Sequence, residues 1–490
     1  MSKALRGQIV VVGSGAGGAT TACSLAQAGF DVVVLEEGMR HPIESYGCNA
    51  TDGMRRFYRN RGMTPIVGGV PIGYVEGCCL GGSTEVNCGF WHRVPPEVAL
   101  RWRAQYDLQD CEPDDLEPHF CWAEEQTSVS PHPEPLPAST QVFARGIEAM
   151  GWRYQQVPRT ARGCIGDNTC ASGCRSGAKQ SMARTLIPAA EAAGARFLTG
   201  CKATMLLRRG SRVTGVLAEV THEDGSSSLA RIDAEHVFVC AGPTQTPSLL
   251  RRSGIKFHVG DTLRIHPMLK VAARFDEPLD SQSSVLPLLQ VKEFWPDLSI
   301  GGAFYSSGHL AMLLSDNWPE TSQAMNDAKS IGAWYVAVKG NGKGSVRPSM
   351  TGDGAPMIRY ELSNEDLRHL SQGLARLATL LLAAGAREVF PSVHGIPTIR
   401  SKLDAIRWLD DLLPRGAVSL TTVHAFSSCP IGERNDRCAA DSFGRVHGFE
   451  GLYINDASIL PDSPGVNPQG TVMALARRNA LHFAETMRNG

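Results

Sequence analysis

Long apolar runs are missing from this sequence. No stretch approaches the roughly 20 consecutive apolar residues that a bilayer-crossing helix needs, so a transmembrane segment is excluded. An excess of one charge is missing too. The 48 Lys and Arg residues face 49 Asp and Glu, a net charge of −1, which argues against nucleic acid or an acidic membrane as partner. Neither an internal repeat nor a low-complexity segment stands out. The opening residues, MSKALRGQIV, run straight into an apolar segment and leave no room for a signal peptide, so a cytoplasmic protein is expected. In that compartment the 14 cysteines should mostly be buried thiols or ligands, not disulfides. At 490 residues, with 42% hydrophobic and 20% charged residues, the chain is expected to form two or three packed units of a soluble globular protein.

What is present starts with QIVVVGSGAGGATTACSLAQAGFDVVVLEEG. An apolar run, Ile9 to Val12, leads into Gly13, Gly15 and Gly18 in G-x-G-x-x-G spacing. Small residues at helical spacing follow (Ala19, Ala22, Cys23, Ala26), then a second apolar run from Val32 to Leu35 that ends in Glu36. Strand, glycine turn, helix, strand and acid in this order predict a dinucleotide-binding βαβ unit. The glycines allow a tight turn and a close approach of backbone to pyrophosphate, which the helix N-terminus would face. Glu36 is placed to accept hydrogen bonds from a ribose.

Further along, GGVPIGYVEGCCLGGSTEVNCGFWHRVP contains a small-residue turn, Gly81-Gly82-Ser83-Thr84, able to press backbone against a flat ligand. This stretch resembles the first signature of the glucose–methanol–choline family of flavin oxidoreductases. The resemblance implies that Gly81, Gly82, Ser83 and Asn87 pack along the flavin of FAD. Some members bind FAD covalently through a histidine just before that Asn. Val86 stands there in this chain, which implies non-covalent FAD. A second signature, A-G-x-x-x-T-P-x-L-L-x-x-S-G, matches Ala241, Gly242, Thr246, Pro247, Leu249, Leu250, Ser253 and Gly254. It implies a return of the chain to the FAD-binding sheet, and Ala203 and Ala241 join the implied cofactor set.

The closing stretch matches a third signature. A strand, Leu452 to Asn455, ends in Asp456-Ala457-Ser458, and a Pro/Gly loop with Asn467-Pro468 precedes a helix starting near Thr471. Strand end and helix start can hold the ribityl and pyrimidine side of a flavin, which adds Asp456, Ala457, Pro468 and Thr471 to the set. The pattern His-x-x-x-x-Cys-x-x-Gly, then Gly-Arg-Val, Asp-Ala-Ser and Gly-Val-Asn-Pro, is similar to cholesterol oxidases and long-chain alcohol oxidases. In those relatives this His and the Asn face the substrate hydroxyl, which implies His424 and Asn467 as the catalytic pair. His41, His266 and His447 read as structural.

Between these signatures lies GCIGDNTCASGCRSGAKQ, with Cys164, Cys170 and Cys174 at C-x5-C-x3-C. Three thiolates in a glycine-rich loop suit an iron–sulfur cluster, three-iron before four-iron. Buried thiols in a structural loop are the alternative. Residues 97–160 read as helices with Pro-rich connections. In 266–362 the segments HPMLKVAARF, SIGGAFYSS, HLAMLLSD and AWYVAVKGNGKGSVRP read as strands of a substrate sheet. SNEDLRHLSQGLARLATLLLAA reads as an amphipathic helix with Ser363 or Asn364 as N-cap.

The expected fold is α/β. A Rossmann-like FAD-binding domain takes 1–95, 195–270 and 415–490, with a central parallel sheet and an antiparallel ribbon. A helical and cysteine-loop insertion takes 96–194, and a substrate domain with a mostly antiparallel sheet flanked by helices takes 271–414. The expected reaction is oxidation of an alcohol, hydrophobic or aryl and primary, by hydride transfer to flavin N5 with His424 as base. Electrons would leave to oxygen, a quinone or a redox protein. A sugar or sterol substrate, and a lyase with a redox-silent flavin, are the competing readings.

Overall fold

The structure, a computed structural model, describes residues 5–47, 49–349 and 355–489. The opening apolar run forms strand β1 (Leu5–Val12), the small-residue segment forms helix α1 (Ala16–Gln27), and the second run forms strand β2 (Val32–Leu35). The two strands pair in parallel, with Val10 opposite Val33. Every residue of β2 is buried, as a strand covered on both faces must be.

The first sheet runs, in spatial order, Arg196–Leu198, β2, β1, Ser227–Val239, Arg212–Thr221 and Cys201–Arg209. The 13-residue strand Ser227–Val239 does two jobs. Its first half pairs antiparallel with Arg212–Thr221, giving the expected ribbon. Its last residues pair in parallel with Leu452–Ile454, so the second and third signatures emerge side by side. Gly13 makes the turn out of β1 at φ +102°, and a Cβ there would sit 2.3 Å from the Cys240 carbonyl oxygen. A Cβ on Gly18 would lie 2.0 Å from the Gly13 carbonyl oxygen. Hydrogen at both positions is what lets helix and strand close on each other.

A second sheet runs Thr64–Ile66, Ile72–Tyr74, Leu420–Thr422, Met268–Arg274, Ile331–Val338, Leu298–Gly302, Leu289–Val291 and Tyr154–Gln156, with Glu388–Pro391 also on Met268–Arg274. Only Ile72–Tyr74 and Leu420–Thr422 pair in parallel. Helix Asn364–Ala383 lies across one face, held at its start by a capping box of Ser363 and Asp366. Leu367, Leu370, Leu374 and Leu377 are buried there, each contributing on the order of 2 kcal/mol. Two segments depart from expectation: Tyr154–Gln156, at the end of the stretch read as helices, is an edge strand of this sheet, and a second segment exchanges strand for helix. HLAMLLSD is largely helical, within Ser307–Leu314, not a strand. A short apolar run carries no period long enough to tell the two apart. Among the described residues no helix is long and apolar enough to cross a membrane.

Candidate active site

One connected cavity of about 800 Å³ joins the two sheets, within the upper part of the usual range of ligand sites, roughly 300–1,000 Å³. Gly13, Gly15, Glu36, Gly82, Ser83, Asn87, Ala203, Ala241, Asp456, Ala457 and Pro468 line it, as do His424 and Asn467. Gly18 and Thr471 do not. Gly18 is spent on packing α1 against the β1 turn, and the buried Thr471 hydroxyl has no hydrogen-bond partner.

The nucleotide end is built from backbone. No side chain caps α1, so its first N–H groups are left for a ligand. A Cβ on Gly15 would meet no protein atom within 4 Å, although Gly15 lines the cavity. Gly242, at φ +89°, is equally open. Glu36 accepts from the Ser14 N–H at 3.0 Å and the Ser14 hydroxyl at 2.6 Å, and from the Gly38 N–H at 2.8 Å. Burial raises its pKa, and three bonds on a carboxylate with about four acceptor sites leave room for one more donor, as from a ribose. Asp456 crosses between signatures, accepting from Gly242 N–H at 2.8 Å and from the Thr246 hydroxyl at 2.5 Å. Arg59, Lys202 and Arg252, which sequence reasoning missed, line the same end. Bare backbone, an uncapped helix, an acid and nearby cations fit a dinucleotide such as FAD. Asn87 donates to Gln469 at 2.6 Å, tying the Gly82 turn to the closing helix Gln469–Asn489.

At the other end His424 Nε2 lies 3.1 Å from the Asn467 amide nitrogen. His424 Nδ1 lies 3.1 Å from His266 Nδ1. His266 Nε2 lies 2.9 Å from Ser463 Oγ, which in turn donates to the Lys339 carbonyl oxygen at 2.7 Å. Protons can be assigned along this row from its far end. A carbonyl only accepts, so the single Ser463 hydroxyl proton is committed to it. Ser463 Oγ must therefore accept from His266 Nε2–H. Burial holds both imidazoles below their ordinary pKa, His424 down to about 4, so each ring carries one proton at neutral pH. His266 Nδ1 then accepts from His424 Nδ1–H, and His424 Nε2 keeps a lone pair, to which Asn467 donates.

His266, expected to be structural, thus belongs to this row. Strand pairing brings it there. Arg264 is opposite Phe426 and Ile265 opposite Ala425, and the next step sets His266 beside His424. The only local hint was a histidine on an apolar strand pattern, which reads as core.

The structure does not support the expected cluster in the cysteine loop. Among the described residues no group of three or more His, Cys, Asp or Glu converges to hold a metal. The Arg159 guanidinium stands between two of the thiols, 3.0 Å from Cys170 Sγ and 3.7 Å from Cys164 Sγ, where a cluster would have to sit. Cys174 instead accepts from the Lys179 backbone N–H at 3.2 Å. Lys179 Nζ donates to the carbonyls of Glu85, Asn87 and Cys170 at 2.6, 2.9 and 2.7 Å, clipping the loop to the flank of the cavity. The thirteen described cysteines are all free thiols.

Family models described as GMC oxidoreductase match residues 10–268 and 341–476. An uncharacterized GMC-type oxidoreductase of Sinorhizobium fredii is 40% identical over 476 residues, 97% of this chain and 94% of that one. A long-chain-alcohol oxidase of Arabidopsis thaliana is 28% identical over 537 residues, 98% of this chain and 68% of that one. The solved structure of pyridoxine 4-oxidase from Mesorbium loti shares the fold, with a TM-score of 0.70 at 17% identity, covering 98% of this chain and 99% of that one. Cradle, second signature and closing strand therefore have one common explanation: the chain belongs to the GMC oxidoreductase family, FAD-dependent oxidoreductases acting on CH–OH donors.

Proposed function

We propose that this protein oxidises a primary alcohol with a largely apolar body to the aldehyde, with His424 as base and Asn467 as the residue that holds the alcohol oxygen. The reading rests on one observation above others: an imidazole lone pair and an amide N–H meet 3.1 Å apart on the wall of the cavity that Gly15 opens into. An alcohol oxygen entering between them would accept from Asn467 Nδ2 and give its proton to His424 Nε2. The bound flavin supplies the hydride acceptor. The His266–Ser463 row keeps the accepting nitrogen of His424 turned to the substrate. Leu286, Met268, Phe304, Met312, Leu313 and Val466 line the space beyond the pair. They offer an apolar alcohol more than they offer a sugar, whose hydroxyls would need partners. The similarity to a long-chain-alcohol oxidase supports the same choice.

The test is anaerobic addition of primary alcohols to the FAD-loaded protein. Bleaching of the oxidised flavin band by a medium- or long-chain alcohol is the expected result. A flavin that stays oxidised throughout the series would contradict the reading and favour a redox-silent lyase. Peroxide formed on admitting air would identify oxygen as the electron acceptor.

A further inference from the structure

The apolar part of the cavity carries one cation with nothing to pair with. Lys270 lines the cavity, and its ammonium makes no hydrogen bond or ion pair with any described residue. It sits in the middle of the second sheet, on Met268–Arg274, opposite Tyr335 of the neighbouring strand. Met268 and Lys270 line the cavity, whereas Leu269, Val271 and Ala273 belong to the core beneath the helix. His266 comes earlier on the same cavity-facing side of this chain segment. Four residues of extended chain span about 13 Å, so Lys270 lies about that far along the strand from the residue that contacts the base.

His309 lines the same region. Its Nδ1 is held by Ser306 Oγ at 2.9 Å, and its Nε2 makes no hydrogen bond with any described residue. Burial, and then the Lys270 charge, lower its pKa to about 4. Among the described residues no carboxylate bears on Lys270; the one group that does is the Cys88 thiol, which burial keeps protonated, and burial pulls the lysine's own pKa down. An unpaired ammonium in so enclosed a place is costly, and an anionic partner brought in by a ligand would remove that cost. Neither Lys270 nor His309 is used by the alcohol chemistry at His424.

We infer that Lys270, with His309 beside it, binds the carboxylate of the substrate, so that the alcohol oxidised here is a hydroxy acid with an apolar body between its two ends. This rests on the reading of the His424–Asn467 end as the site of alcohol oxidation and specifies its substrate class. Apolar wall in the middle, a base at one end and a cation at the other would set the length of the molecule that spans them. A neutral alcohol of equal length leaves the ammonium unpaired, and a sugar or a cationic alcohol gains nothing from it.

The experiment compares ω-hydroxydecanoate with its methyl ester as reductants of the FAD-loaded protein, in the wild type and in Lys270→Met. The wild type is expected to favour the acid in kcat/KM by about tenfold or more, and the variant to lose that preference while reducing with the ester within about twofold of wild type. Calorimetric titration with decanoate, which has no hydroxyl to oxidise, reads the anion site separately. Its Kd should weaken about tenfold or more in the variant. Equal activity of acid and ester in the wild type, or decanoate binding indifferent to Lys270, would overturn the inference. So would an equal loss with both substrates accompanied by a shifted flavin potential, which would assign the lysine to the flavin. Reduction by neither substrate with decanoate binding intact would sink the alcohol-oxidation reading and leave the anion site standing.

Discussion

Burial pushes the His424 pKa down to about 4, and the consequences can be read from the sign of that shift. A lowered pKa means that the lone-pair form of the ring persists through mildly acid solution. Flavin reduction by alcohol should therefore hold level from neutral pH down to about pH 5 and fall as the pH drops through about 4. An inflection near the ordinary histidine value would show a solvated ring and contradict the arrangement. Which nitrogen carries the proton is decided further along the row, at Ser463. In Ser463→Ala, His266 loses the acceptor that fixes its Nε2–H, and its other tautomer sets two N–H groups face to face at the 3.1 Å contact with His424. A fall of roughly tenfold to a hundredfold in the rate of flavin reduction is expected, with FAD content and substrate KM little changed. Ser463→Thr, which keeps a hydroxyl, should recover most of the loss. An unaltered rate in the alanine variant would remove the row from the mechanism.

Elements divide the glycines of the first signature into two kinds. Gly18 is a packing glycine, and Gly18→Ala drives a methyl against the Gly13 carbonyl, so thermal stability should fall by several degrees with or without FAD. Gly15 is a ligand glycine. Gly15→Ala meets no protein atom, so the apo protein should melt where the wild type does while FAD content drops sharply. Equal behaviour of the two variants would contradict the division. The sequence could not separate them, because spacing alone does not say which glycine faces protein and which faces ligand. What it did convey was local: the βαβ unit (Leu5 to Leu35), the capped helix at Ser363 and the closing strand–loop–helix (Leu452 to Asn489) each announce themselves within one contiguous stretch. The rest depended on partners far along the chain. His266 reaches His424 through strand register across 158 positions, and Thr64–Ile66, Ile72–Tyr74 and Tyr154–Gln156 join a sheet whose other strands begin at Met268 or later. The cysteine loop is a different case: Arg159, only 5 and 11 positions away, turns its guanidinium onto Cys164 and Cys170, which the spacing of the cysteines does not reveal.

Over the whole molecule, burial also lowers the pKa of His92 to about 3 and of His119 and His309 to about 4. Unfolded, these rings would titrate near the ordinary 6.5. Between those limits the unfolded chain binds protons that the folded one refuses, so stability should decline as pH falls from about 6.5 toward 4. A denaturation midpoint that held constant across that range would contradict their burial as neutral rings. The larger claim concerns the two ends of the chain. The cradle that begins at Gly13 and the pair formed by His424 and Asn467 open into one cavity, and the proposed chemistry depends on both facing one flavin. The most direct measurement is anaerobic stopped-flow reduction of FAD-loaded His424→Ala by an alcohol that reduces the wild type. A rate lowered by roughly a hundredfold to ten-thousandfold, with FAD still bound, is the expected outcome. Reduction at the wild-type rate would contradict the account.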